Sequence, residues 1–173
     1  MDEHQERYLA HQARKRDVLM EIMEERHSNR RFLSEEVDPL DLQRMEEAAK
    51  RTPSSCDRRG VTTTTITERD DKSFLGGVLV GGVGWIHRAP AIILLHADPA
   101  AYKAGGEIAF MPYLDAGVQV QNLYLMATAL GLHGAFVNPN IRDAHKPLFE
   151  TLYGNHIFCG AFAFGRPFMP QHK

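Results

Sequence analysis

Hydrophobic positions along this chain repeat at two spacings, every three to four residues in some stretches and every second residue in others, and the changeovers outline its elements. Val18, Leu19, Ile22 and Met23 recur at helical spacing in a charged background, which predicts an amphipathic helix over Gln5 to Glu25. A second helix is signalled by Asp38 as its cap, Pro39 at its first position and the apolar stripe Leu42, Met45, Ala48 and Ala49. It stops at Thr52-Pro53, because the residue before a proline avoids helical geometry. Val61 to Thr67 is almost wholly threonine with valine and isoleucine, all β-branched, and predicts a strand. A charged stretch, Glu68 to Lys72, and a glycine-rich segment, Gly76 to Gly84, follow it.

The second half is more apolar. Ala91 to Leu95, directly after Pro90, predicts a strand buried on both faces. Glu107 to Leu130 predicts a long helix ended by Gly131, and Gly134 to Val137 a short strand. Asp143 to Tyr153 predicts a further helix with Pro147 in its first turn and Leu148, Phe149, Leu152 and Tyr153 toward the core. Ile157 to Phe164 predicts the last strand, with Ile157, Cys159, Ala161 and Ala163 on one face and Phe158, Phe162 and Phe164 on the other. These elements describe an α+β fold with helices around a mixed sheet, one domain over residues 1–173 with an N-terminal helical extension over 1–17.

Composition narrows the function classes. With 173 residues, 43% hydrophobic and 24% charged, the chain can bury a sizeable core. A formal charge of -2 gives no general attraction to nucleic acid or acidic membranes. Ala109 to Leu132 carries Asp115, Gln119, Gln121 and Asn122, so it reads as a buried helix and not a membrane span. Cys56 and Cys159 lie far apart without zinc spacing, and the charged Met1-Asp2-Glu3-His4 start lacks a signal core; both point to reduced thiols and a cytoplasmic protein.

Several chemistries fail on detail. Gly82-Val83-Gly84 lacks the third glycine of a dinucleotide loop, and no Gly-Lys-Ser/Thr occurs, so the glycine cluster reads as close backbone packing or a mobile loop. Metalloprotease and hydrolase signatures are absent, and no metal site is expected. Asp115, Gln119 and Asn122 share one helix face, and the expectation is hydrogen bonding across a helix or subunit contact.

Two segments carry more. In Arg26-His27-Ser28-Asn29-Arg30, alternate arginines on an extended segment flank a hydroxyl, which makes an anion receptor; the plainer reading is a basic surface loop. Pro53-Ser54-Ser55-Cys56-Asp57 exposes backbone N–H groups in a turn able to cradle an oxygen, or is only a loop.

Taken in order, these segments resemble the nitroreductase family of FMN-dependent oxidoreductases from about Met20 to Gly165. The resemblance rests on Arg26-x-Ser28-x-Arg30, on Thr52-Pro53-Ser54-Ser55-Cys56-Asp57, on Ala89-Pro90 opening a strand, and on Asp115-x-Gly117, Gln121-Asn122-Leu123 and Ala129-Leu130-Gly131-Leu132. It implies a three-layer homodimeric fold with FMN at the subunit interface and NAD(P)H as electron donor. Arg26 would hold the phosphate, with His27 beside it, Ser28 near the ribityl chain and Arg30 near the pyrimidine edge. Pro53, Ser54, Ser55 and Asp57 would come from the second subunit, and the backbone of Val137 and Asn138 would approach N5 and O4. Arg166, with Lys173 behind it, would complete the phosphate site.

Departures accompany the match. Asp57 stands where the family has asparagine, and Arg59-Gly60-Val61 where it has Gln-Pro-Trp, so an acid near a phosphate needs Arg58 or Arg59 to neutralise it. The stretches between Glu68 and Pro90 and around Gly105 are short of a lid. The implied activity is hydride transfer from NAD(P)H through the flavin to a small organic acceptor such as a nitroaromatic or quinone. A non-catalytic flavin-binding or structural dimer, or a specialised dehydrogenase, dehalogenase or flavin-fragmenting role, remains as an alternative.

Overall fold

In the computed structural model, which describes residues 2–103 and 105–168, the elements run α1 (Glu3–Glu25), α2 (Pro39–Lys50), β1 (Val61–Ile66), α3 (Arg69–Val78), β2 (Ala91–Ala97), α4 (Met111–Ala129), β3 (His133–Val137), α5 (Lys146–Tyr153) and β4 (Ile157–Gly165). The strands form one sheet in the order β1-β2-β4-β3. All three ladders are antiparallel, so the mixed character expected of the sheet reduces to one parallel bridge, Ser28 to Gly134, on the free side of β3.

The sheet is covered on both faces. Ile93, Leu95, Phe162 and Phe164 pack with Met45 and Ala49 of α2 and Leu123 of α4. Ile92, Leu94, Ala161 and Ala163 pack with Leu75 and Val78 of α3 and Phe149 of α5. Every residue of β2 is buried, as the apolar run Ala91 to Leu95 requires, and His96 is buried with it.

α2 begins as its signals dictate. The Asp38 carboxylate accepts from Leu40 N–H at 2.7 Å, Pro39 fills the first turn, and Met45, Ala48 and Ala49 are buried. α1 differs: no residue in it is buried, and Val18, Leu19 and Met23 lie exposed. No helix among the described residues is long and apolar enough to cross a membrane.

Four expectations need correction. The charged and glycine-rich stretch after β1 is helix α3, because Leu75 and Val78 supply a buried stripe one turn apart that outweighs Gly76 and Gly77. Close packing does hold at Gly82, where a Cβ would lie 2.8 Å from Ile86 Cγ2. α4 starts at Met111, since Gly106–Ala109 forms a 3-10 turn and Phe110 leaves helical geometry. Leu148 and Leu152 of α5 face outward at 49% and 56% exposure, because a short helix laid on a sheet buries only one line of side chains, here Phe149 and, in part, Tyr153.

The faces assigned to the last strand change partway. The register slips between Leu95 and His96, which pair with Gly160 and Phe158, so Cys159 is an extra residue. Below the bulge Ile157 and Cys159 join the Phe162 face, while Phe158 joins Ala161 and Ala163. Gly160 has φ +128° and a Cβ there would meet Phe136 at 2.4 Å, so only glycine fits.

Candidate functional site

Where α1 ends, Arg26 caps it and the chain leaves helical geometry. Ser28 then forms its bridge to Gly134, and Asn29 N–H donates to the Gly134 carbonyl at 2.9 Å. This docking needs a residue without a side chain, since a Cβ on Gly134 would fall 2.6 Å from the Ala163 carbonyl oxygen and 2.5 Å from Phe162.

The segment's two outer arginines rest on aromatic faces. Arg26 Cζ lies 5.4 Å from the Tyr124 ring centre and Arg30 Cζ 5.6 Å from that of Trp85. Trp85 is fixed in turn by donating from Nε1 to the Gly81 carbonyl at 2.9 Å. Among the described residues neither guanidinium has a carboxylate within salt-bridge distance. His27 packs against His133 with ring centres 4.3 Å apart and planes tilted by 35°, and burial together with His27 lowers the His133 pKa.

Val137, the last residue of β3, lies three residues beyond Gly134, about 10 Å away at the rise of a strand, and Asn138 follows it. Val137 is buried, Asn138 is exposed, and Asn138 Oδ1 accepts from Asn140 N–H at 3.1 Å. Arg166 is placed differently. Its guanidinium turns to Glu35 at 3.6 Å, beside Glu36, Asp38 and Asp41 in a hollow of about 230 Å³. Lys173 lies outside the described residues.

The Pro53–Asp57 segment forms a separate cluster. Cys56, Asp57 and Arg59 all have φ between 51° and 55°, a left-handed conformation that non-glycine residues adopt only when held. The restraints come from α4 and the turn before it. Asp115 Oδ1 accepts from Ser55 N–H at 2.9 Å, and its Oδ2 from the Tyr102 hydroxyl at 3.0 Å. Burial first, and the Asp115 bond second, push the Tyr102 phenol up. Arg58 donates to Glu107 at 2.7 Å, which raises the arginine and lowers the carboxylate. Arg59 meets Asp57 at 2.7 Å and also donates to the Lys50 carbonyl, so the acid in this loop is neutralised by its neighbour.

The polar stripe of α4 crosses to another helix, as expected, only at Asn122, while Gln119 reaches strand β1 and Asp115 the loop. Gln119 donates to the Val61 carbonyl and Asn122 to the Ala48 carbonyl. Tyr124, Trp85, Tyr102 and Glu107 were not legible as site residues, since nothing in their sequence neighbourhoods separates them from core or surface residues. The two cysteines are free, Cys56 exposed and Cys159 buried, with burial raising the Cys159 thiol to about 12. No three His, Cys, Asp or Glu side chains gather as a metal site among the described residues.

Comparison with known proteins bears on the fold and the family. Curated protein sequences yield no match. A structure from Desulfovibrio desulfuricans, described as a nitroreductase in complex with FMN, superposes with a TM-score of 0.74 at 26% identity, covering 90% of each chain. A NADH dehydrogenase/NAD(P)H nitroreductase from Bacteroides thetaiotaomicron shares the fold at TM-score 0.76 and 21% identity over 89% of each chain. A NADH oxidase from Clostridium acetobutylicum does so at 0.73 and 18%, over 88% of this chain and 94% of that one. A sequence model of the nitroreductase family matches residues 78–166, which hold Trp85, Asp115, Tyr124 and β3, and the chain belongs to that family.

Proposed function

We propose that the protein is a homodimeric FMN oxidoreductase that uses NAD(P)H to reduce a small organic acceptor such as a nitroaromatic or a quinone. The observation that carries this reading is the pair of guanidiniums, Arg26 and Arg30, held on aromatic faces without a carboxylate partner among the described residues. Fixed cations on either side of a hydroxyl suit a phosphate and an electron-rich ring edge. When bound, FMN supplies hydride acceptance and donation at N5, so the protein needs no acid, base or nucleophile of its own.

The chain's residues then bind and orient. Arg26 takes the phosphate, Ser28 a ribityl or phosphate oxygen, and Arg30 the pyrimidine edge, where positive charge favours the reduced ring. The end of β3 at Val137 and Asn138 offers backbone groups about one flavin length from Gly134. The Asp57–Arg59 pair removes the charge conflict that an acid in the Pro53–Asp57 loop would otherwise create.

Helix geometry supports the second subunit. The loop is attached to α4 at Asp115, and the Arg26 segment at Tyr124. Nine residues separate them on this helix, which is about 14 Å along the axis and half a turn around it. One chain's loop and arginine segment therefore leave opposite sides of α4, and a twofold partner is the simplest way to face them together. Leu114 and Val118 of α4, with Phe110 just before it, leave exposed apolar surface that such a partner would cover.

The test is an absorbance spectrum of the purified protein with and without added FMN, followed by anaerobic NADH and NADPH. Bound FMN bleached by either nicotinamide is expected. A protein that takes up no FMN overturns the reading, and FMN bound but inert to both donors overturns the reductase part alone.

A further inference from the structure

Tyr124 of α4 packs against the core like its apolar neighbours, yet it also reaches the Arg26–Arg30 segment. Its ring edge packs on buried Phe162, 4.7 Å between centres at 76°, which fixes its orientation. The ring face lies under Arg26. Its hydroxyl accepts from Phe136 N–H of β3 at 2.9 Å and lies 3.1 Å from Ser28 Oγ. A core tyrosine usually satisfies its hydroxyl inside the core. Here the partner is an exposed serine on the anion-binding segment.

Resting on the FMN reading of the site, we propose that Tyr124 is the positioning residue of the anion receptor, holding the Arg26 guanidinium on its ring and setting Ser28 as a donor to the ligand. A phenol oxygen that accepts from Phe136 N–H has its own proton left for Ser28 Oγ. Ser28 Oγ then accepts from Tyr124, and its proton is free to point outward at a phosphate or ribityl oxygen. The chain Phe136 N–H to Tyr124 O–H to Ser28 O–H runs in one direction, and each bond polarises the next. Stacking removes freedom from the long Arg26 side chain before the ligand arrives, which lowers the ordering cost of binding. A strand of the sheet thereby dictates the donor pattern of a loop 108 residues earlier in the chain.

FMN affinity, read by flavin fluorescence quenching, tests this in Tyr124→Phe, Tyr124→Leu, Ser28→Ala, Arg26→Ala and the double variants. Loss of one hydrogen bond in Tyr124→Phe weakens FMN by about 2- to 12-fold. In that background Ser28→Ala costs little more, because the serine is no longer directed, while Arg26→Ala keeps its full effect because the ring remains. In Tyr124→Leu the Arg26→Ala effect shrinks as well. A tyrosine that merely filled the core would weaken binding additively with both partners. Wild-type protein that binds FMN alongside an equally tight Tyr124→Phe, or additive effects in Tyr124→Phe with Ser28→Ala and in Tyr124→Leu with Arg26→Ala, overturns the assignment and leaves the flavin reading intact. Wild-type protein without FMN affinity removes both. Ser28→Ala alters an exposed side chain and folds regardless of Tyr124→Phe; its failure to weaken FMN overturns the relay by itself.

Discussion

Asp115 and Ser55, 60 residues apart in sequence, are joined by a 2.9 Å hydrogen bond from the Ser55 backbone N–H to a carboxylate that is 6% exposed. The second carboxylate oxygen takes the Tyr102 hydroxyl, so one side chain ties the strained loop to the turn before α4. Asp115→Ala leaves the buried Tyr102 hydroxyl and the partly buried Ser55 N–H without this partner, at up to about 1–3 kcal/mol each. We expect urea denaturation to show a loss of about 2–4 kcal/mol, with increased proteolysis at Cys56–Arg59. A loss below 0.5 kcal/mol, roughly the level of a neutral surface change, would mean the carboxylate does not anchor the loop.

Gly134 admits no side chain. A Cβ there meets backbone on β4 at 2.6 Å, where nothing flexible can yield. Gly134→Ala should therefore displace β3 or the Ser28 bridge, lowering stability by about 1–3 kcal/mol as for an overpacked core. Loss of hydrogen-exchange protection at Asn29 N–H is the local signature to measure.

His96 confers a specific acid sensitivity. It is 4% exposed on β2, about 6 Å from the rings of Phe149, Tyr153 and Phe158, and its Nε2 has no hydrogen-bond partner among the described residues. Burial first, and His156 second, push its pKa from 6.5 down to about 4. Since the unfolded chain binds this proton at 6.5 and the folded chain only near 4, stability is full above 6.5 and is lost as pH falls between those values. The loss amounts to about 3 kcal/mol. His96→Leu should flatten the difference in unfolding free energy between pH 7 and pH 4 by that amount; an unchanged pH profile would contradict it.

Arg26→Ala should weaken FMN by about 10- to 150-fold, the range for a hydrogen bond to a charged group. Fluorescence titration checks this, and equal affinity would remove Arg26 from the site.

Arg30 and Trp85 should act together on the flavin's potential. Arg30→Ala is expected to lower it by about 30 mV, the two-electron equivalent of 1.4 kcal/mol. Trp85→Leu removes the face beneath Arg30 and should shift the potential in the same direction by less. Spectroelectrochemical titration that finds no shift in Arg30→Ala would dismiss the ring-edge role.

Much of this molecule was legible before its fold was known. Asp38-Pro39 announced α2, the run Ala91 to Leu95 announced a strand buried on both faces, and the order of short motifs from Arg26 to Leu132 announced the family. Such signals are local: a cap, a missing N–H, a β-branched run or a fixed spacing acts on the residues beside it. Reading failed where distant chain intervened. The bulge at Cys159 reversed three side chains, Ile157, Phe158 and Cys159, because β2 dictates the register, and α3 formed across glycines because a sheet face was there to bury Leu75 and Val78.

The site divides along the same line. Residue order alone determined that two arginines flank a serine at the end of a helix, and that an acid stands in the following loop. Only the packed structure decided what those charges do. Arg59 closes on Asp57, Arg58 on Glu107 and Arg166 on Glu35, while Arg26 and Arg30 lie on Tyr124 and Trp85. A guanidinium is the same in every sequence context; whether it meets a carboxylate or an aromatic face depends on which surface the fold sets beneath it, and for Arg26 and Arg30 that surface comes from residues more than 50 positions away.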